Sequence, residues 1–269
     1  MRKYAHVINI AIQNTLVYRV NFLFRSIFGM IPLMATIYLW RAVYEGKSPG
    51  DPNVAGYTLA GMTSYYLLVT IVDALTAVTE DDWQIASDIR EGAINQFLLK
   101  PIDYLTYRLC IFSSGRLIYV CVAAIPVTLF IVIQRRYWVG PPDAFTFVLF
   151  LFSLVLTALL QFFISYTMAL LAFWLLEIST LIFIVFAFEY MAGGHLFPLD
   201  ILPPGVAAVL NFTPFPYQLF FPVSLYLGRV TGVAIWQGLG VQLFWVGFFY
   251  IVARWTWRRG IRRYTAFGG

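Results

Sequence analysis

Runs of about twenty apolar residues recur along this chain, and no other feature restricts its fold so severely. A helix that crosses the hydrocarbon of a bilayer needs about 20 such residues, because each adds only about 1.5 Å of rise. Six segments meet that requirement: 21–44, with Pro32 as a potential kink, then 56–79, 115–133, 144–169, 175–191 and 232–253. The stretch 144–191 is almost continuous, and a break near Phe173 divides it into two spans. Composition agrees. The chain is 61% hydrophobic and 12% charged, whereas soluble domains run at roughly 45–50% apolar and about 25% charged. Too little polar surface remains to cover a water-soluble globule. The expected fold is an all-α polytopic membrane protein of about six transmembrane helices, forming one transmembrane domain over 1–269.

The net charge of +5 does not form a basic patch of the kind that binds nucleic acid. The charges sit at the ends of the apolar runs, where cytoplasmic Lys and Arg fix orientation. With the N-terminus inside, that side holds Arg2, Lys3, Arg19, Arg25, Arg90, Lys100, Arg108, Arg116, Arg254, Arg258, Arg259, Arg262 and Arg263. The other side holds Arg41, Lys47, Arg135, Arg136 and Arg229, a division of 13 against 5 among the 18 basic residues. Both termini are expected to be cytoplasmic. The N-terminus does not read as a cleavable signal, because Gln13, Asn14, Arg19, Asn21 and Arg25 interrupt any apolar core. Cys110 and Cys121 lie in apolar sequence without metal or redox spacing and read as small buried hydrophobes.

Three segments outside the spans carry more information than the spans. Residues 1–20 read as an amphipathic interfacial helix, with Tyr4, Val7, Ile8, Ala11, Thr15 and Leu16 on one stripe and a basic face toward lipid headgroups. Residues 80–103 form the longest polar loop. Glu80, Asp81 and Asp82 favour a helix start and Pro101 forbids continuation, which predicts one helix over 83–99 with Trp83, Ile85, Ile89, Ile94 and Phe97 on a face for membrane or partner. Residues 193–230 are apolar but carry prolines at 198, 203, 204, 214, 216 and 222. No single span survives them, and broken backbone at membrane depth must be buried in protein or line a cavity. A pair of re-entrant half-helices on the outer side is expected.

Catalytic chemistry is hard to find. Gly46-Lys47-Ser48 resembles the end of a phosphate loop, but Arg41 occupies the position that needs glycine. His6 and His195 are too few and too far apart for a metal site. No catalytic or metal-ligating set emerges, and the chain reads as a non-enzyme. Ionisable groups within the spans are functional candidates by default, because burying them is costly; these are Arg25, Asp73, Arg116, Glu177 and Glu189. Glu189, before the Gly193-Gly194 break, leads a possible translocation path or outer gate with His195, Phe197 and Pro198. Small residues on two spans (Gly56, Ala60, Gly61 and Ser64; Gly238, Gly240 and Gly247) permit close helix approach, either within the chain or against a second copy.

Three stretches in order resemble one family. Asp88-Ile89-Arg90-Glu91-Gly92 followed by Leu98-Leu99-Lys100-Pro101 is similar to the Arg-x-Gly to Leu-Leu-x-Pro segment between spans two and three of bacterial type II ABC exporter permeases, the small six-span ABC-2-like kind without a fused ATPase. Ala172-Phe173-Trp174 and the proline segment 193–222 are similar to later parts of that family. The break here reads Ala192-Gly193-Gly194-His195, where the family often carries a serine–glycine pair. The resemblance implies a permease that forms the substrate path of an exporter in the bacterial cytoplasmic membrane. Its partners would be a cytoplasmic ABC ATPase dimer, which alone holds ATP and Mg, and a second permease, copy or sister. The 80–103 loop would then be the coupling helix, with Trp83, Asp88, Arg90, Glu91, Gly92 and Lys100 at the ATPase interface. An ion-coupled carrier or channel using the intramembrane acids is the alternative.

Overall fold

The structure, a computed structural model, describes residues 2–46, 53–78, 81–175 and 177–264. Lys47, Ser48 and Glu80, and the side chains of Arg2, Arg19 and Asp81, lie outside the described residues. Among those described, the regular elements are helices, joined by turns and one isolated β-bridge between Val54 and Tyr57. In order come α1 (Arg2–Val17), α2 (Arg19–Glu45), α3 (Leu59–Thr76), α4 (Asp81–Arg90), α5 (Asn95–Leu98), α6 (Tyr104–Ile133), α7 (Ala144–Leu170), α8 (Ser179–Ala192), α9 (Pro204–Leu210), α10 (Phe220–Tyr226) and α11 (Val233–Arg263). Three of the long helices start on an oxygen cap. Thr58, Asp103 and Asp143 each accept from the backbone N–H three residues on and satisfy a donor left free by the first turn.

Helices α2, α3, α6, α7 and α11 are long and apolar enough to span a bilayer. The fifth apolar segment forms α8, of 14 residues. At about 1.5 Å per residue it rises about 21 Å, short of the roughly 30 Å hydrocarbon core. It is short because Gly193 and Gly194 end it, and the chain then turns back rather than continuing. The two half-helices expected after it are α9 and α10. Both α2 and α6 run unbroken through a proline, Pro32 and Pro126. Helix α6 is also three turns longer at its start than expected, so Arg116 lies well inside it.

Helices α7 and α11 form the axis of packing, side by side over most of their length. Gln242 of α11 is fully buried there. Its amide donates to the carbonyls of Ser153 and Tyr217 and to the Thr157 hydroxyl at 2.9–3.1 Å, and its oxygen accepts from the Ser153 hydroxyl at 2.9 Å. Such interhelical amide bonds hold helices together where the surroundings offer no hydrophobic drive. Small residues complete the fit within the chain. Gly238 lies against the Phe221 ring and Gly260 against Phe173, and Ser64 is buried under residues 137–139. Gly240 and Gly247 have open space beside them.

The elements sort to two ends. At one end lie the starts of α1 and α6, together with α4, α5, the turn at 171–173 and the end of α11. Arg254 donates to Asp103 at 2.5 Å, the Asp103 amide donates to the Tyr4 hydroxyl, and Lys3 donates to the Pro101 carbonyl. Burial alone would raise the Asp103 carboxyl, but the bonds from Thr106 and Arg254 bring it below the usual range. At the other end, Arg229 lies 3.7 Å over the Tyr57 ring and pairs with Asp200 at 2.8 Å, and the Tyr57 hydroxyl donates to the same carboxylate. Helix α1 packs along α6 through Tyr4, Val7, Ala11 and Thr15, while Ile8 and Leu16 remain exposed. Cys110 is half-buried, and Cys121 is exposed on α6 rather than buried as expected.

A side chain at Gly260 would enter the Phe173 ring. Gly260→Val is expected to destabilise the fold by about 1–3 kcal/mol through overpacking. Thermal unfolding of the detergent-solubilised chain, compared with Gly247→Val where space is open, checks it.

Candidate functional site

Two places collect the candidate residues. The first is the α4–α5 unit at the α1 end. It is two helices rather than the single one expected, because Gly92 takes a left-handed φ of +79° and turns the chain between them. Ile85, Ile89 and Ile94, expected to face membrane or partner, are buried in the core of the chain itself. They fasten α4 to α7. A polar network completes the attachment. The Arg108 guanidinium, 3% exposed, pairs with Asp88, donates to Gln84 at 3.2 Å, and donates to the Tyr104 hydroxyl, which in turn donates to Asp88 at 2.7 Å. Asp88 is therefore engaged inside the chain. On the outer face stand Trp83, Arg90, Glu91, Lys100 and the apolar pair Leu98 and Leu99, the last 88% exposed. Glu91 accepts from the Ser87 hydroxyl at 2.6 Å, and Lys100 rests over the Phe97 ring.

Asp82, in the first turn of α4, is 2% exposed. Burial raises its carboxyl above the ordinary range, only partly offset by the Trp83 amide that bonds it. A folded value above the unfolded one means that the charged form is disfavoured on folding. Asp82 then subtracts stability at neutral pH, and the penalty fades as pH falls through its raised value. Asp82→Asn is expected to raise the thermal midpoint at pH 7.5, with the gap closing toward pH 4.

The second place is a cavity of about 500 Å³ that lies between α2, α3, α6, α7 and α8 and opens to the surface past Arg25, Phe186 and Tyr190. It gathers Arg25, Asp73, Arg116, Glu189 and His195, with Tyr119, Tyr190 and Gln161 among its other walls. The break after α8 places His195. Gly194 adopts φ +97°, and its missing side chain leaves room for the Tyr65 hydroxyl. That hydroxyl donates to the Gly194 carbonyl at 2.6 Å, and the neighbouring Tyr66 hydroxyl donates to the Leu196 carbonyl at 2.6 Å. The Phe220 amide donates to the Gly193 carbonyl at 3.0 Å. So held, His195 stacks on Tyr190 at 4.9 Å between ring centroids and brings Nε2 to 3.2 Å from Asp73.

Of the residues singled out in the sequence, Glu189 and His195 meet in this cavity, whereas Phe197 and Pro198 pack beyond it. Glu177 lies at the α4 end, outside the cavity, and bonds Ser179. The Asp73–His195 contact joins residues 122 positions apart, and no spacing announces it. The one available signal is that each is a polar residue in an apolar run. The cavity mixes both signs of charge with aromatic rings, and nothing in it is arranged as nucleophile, base and oxyanion donors.

A sequence model described as an ABC-2 family transporter protein matches residues 30–268, nearly the whole chain. The chain belongs to the ABC-2 transporter family. No curated protein and no solved structure matches. Membership makes this ABC-2 protein a membrane permease of the ABC transporter class, a class that works with ABC ATPase subunits. It also fits a bundle with five bilayer-length helices.

Tyr65 is fully buried, so Tyr65→Phe leaves the Gly194 carbonyl without a partner, a loss worth about 1–3 kcal/mol. We expect a lowered midpoint in the thermal unfolding of the detergent-solubilised ABC-2 protein, and a larger drop for Tyr65→Phe/Tyr66→Phe.

Proposed function

We propose that this ABC-2 protein is the transmembrane permease of an exporter whose ATP hydrolysis takes place on separate ATPase subunits, with the α4–α5 unit as the coupling element. One observation carries this reading. The unit is bound rigidly to α6 and α7 by the Asp88–Arg108–Tyr104 network while it presents Trp83, Arg90, Glu91, Leu99 and Lys100 outward. A rigid attachment passes force to the spans, and a face of mixed charge with an exposed apolar residue sets register with a soluble partner. Asp88 and Gly92 act within the unit, as anchor and as turn, and the outward residues make the contact. ATP and Mg would be held by that partner.

The cavity is the proposed substrate path, with Glu189 and His195 on its wall and the Tyr57–Asp200–Arg229 cluster closing the far end. The basic majority at the α1 end favours placing that end, and both termini, in the cytoplasm of a bacterial cell. A second permease, a copy or a sister chain, completes the path. The convergence of Asp73, Glu189 and His195 also favours a second reading, an ion-coupled carrier that moves cargo without ATP.

Co-expression with the ATP-binding protein encoded beside this chain distinguishes the two. The expected outcome is a stable detergent-solubilised complex that hydrolyses ATP. Arg90→Ala/Glu91→Ala should reduce the co-purified ATPase about tenfold, the loss of roughly 1.4 kcal/mol of interface charge contacts, with membrane insertion unchanged. Full docking by that variant would displace the interface from α4–α5. Transport in ATP-free vesicles, abolished by Asp73→Asn, would establish the carrier.

A further inference from the structure

Helix α11 carries an exposed apolar stripe. Phe244, Phe248, Ile251 and Trp255 are 44–67% exposed and recur at helical spacing on one face. One turn beyond Trp255 the same face changes character and presents Arg259 and then Arg262, with Arg263 beside it. Opposite stand Leu171 and Trp174, in the turn after α7. Between the two walls runs a cleft of about 720 Å³. Arg259 lies over the Trp255 ring at 5.5 Å. Among the described residues, none of the three arginines has a carboxylate within ion-pairing distance. Nearby Arg254, by contrast, is paired with Asp103.

We propose that this cleft binds the headgroup of an anionic phospholipid from the leaflet at the α1 end. The apolar stripe of α11 guides the acyl chains. It ends at Trp255, across the cleft from Trp174, two rings that suit the headgroup level, and then in three guanidiniums that match a phosphodiester oxygen pair. The continuity of stripe and cleft on one helix face favours a bilayer lipid over a soluble anion, which would need no apolar approach. A basic cleft at a span's end is the form such lipid recognition takes. The inference is independent of the coupling reading.

The test titrates dioleoylphosphatidylglycerol, dioleoylphosphatidylcholine and inorganic phosphate into the detergent-purified chain, with bound lipid read by native mass spectrometry. Phosphatidylglycerol is expected to bind at least about tenfold more tightly than phosphatidylcholine, and Arg259→Gln/Arg262→Gln to weaken it roughly tenfold. Arg135→Gln/Arg136→Gln, which removes the same charge at the opposite end, should leave binding within about twofold. Equal binding of the two lipids overturns the proposal, as does equal loss in both double variants. Displacement by millimolar phosphate reassigns the cleft to a soluble anion and overturns it too. Should the glutamine variant not purify, brominated phosphatidylglycerol should quench the wild-type chain more than brominated phosphatidylcholine, a difference that shrinks in Trp255→Phe. Equal quenching by the two lipids sinks the idea.

Discussion

Backbone carbonyls in an apolar medium must find a donor inside the protein, because no water is at hand to replace one. The segment after α8 meets this constraint where the helix stops. The carbonyls of Gly193, Gly194 and Leu196 are answered by the Phe220 amide and by the hydroxyls of Tyr65 and Tyr66. These bonds satisfy the carbonyls that the end of α8 leaves open, where Gly193 and Gly194 stop the helix and Pro198 prevents its resumption. The glycines matter for the same reason. Only a residue without a side chain lets the Tyr65 hydroxyl approach Gly194, and the φ of +97° there is one that other residues rarely adopt. The break at Gly194 brings His195 inward, and His195 in turn completes the cavity against Asp73.

The opposite end answers a different demand. A loop that is to transmit force, as proposed for α4–α5, cannot hang loosely from two spans. Three buried isoleucines and a guanidinium shared between a carboxylate and a tyrosine hydroxyl weld α4 to the bundle. A buried charge pair is a poor source of stability on its own, but it fixes one geometry. Here it leaves a defined set of side chains facing outward. The buried Asp82 in the same helix works against stability, and Ile85 and Ile89 on that helix offset it by burial.

Between the ends, the cavity mixes arginines, acids and a histidine within a bundle whose outer faces are apolar. The mixture separates inside from outside, since polar residues converge on the cavity while α11 and α6 turn Phe, Ile, Leu and Val outward. The basic cleft at the end of α11 lies on the outside, where the exposed apolar stripe gives way to arginines.

The sequence by itself determined the solvent, the number of apolar segments, the helix at the N-terminus, the polar loop and the proline-broken region. These follow from length, hydropathy and the conformational limits of proline, which act locally and leave a local trace. It also marked Glu189 and His195, because a charged residue in an apolar run stands out. It misjudged Ile85, Ile89 and Ile94, because periodicity tells which residues share a face and not what covers it. It could not announce that Asp88 would be consumed by Arg108, that His195 would meet Asp73, or that Gln242 would bind three residues on two other elements. Those depend on which helices become neighbours. Only the tertiary structure decided that, through close packing at glycines and through polar groups that had to be satisfied by partners far away along the chain.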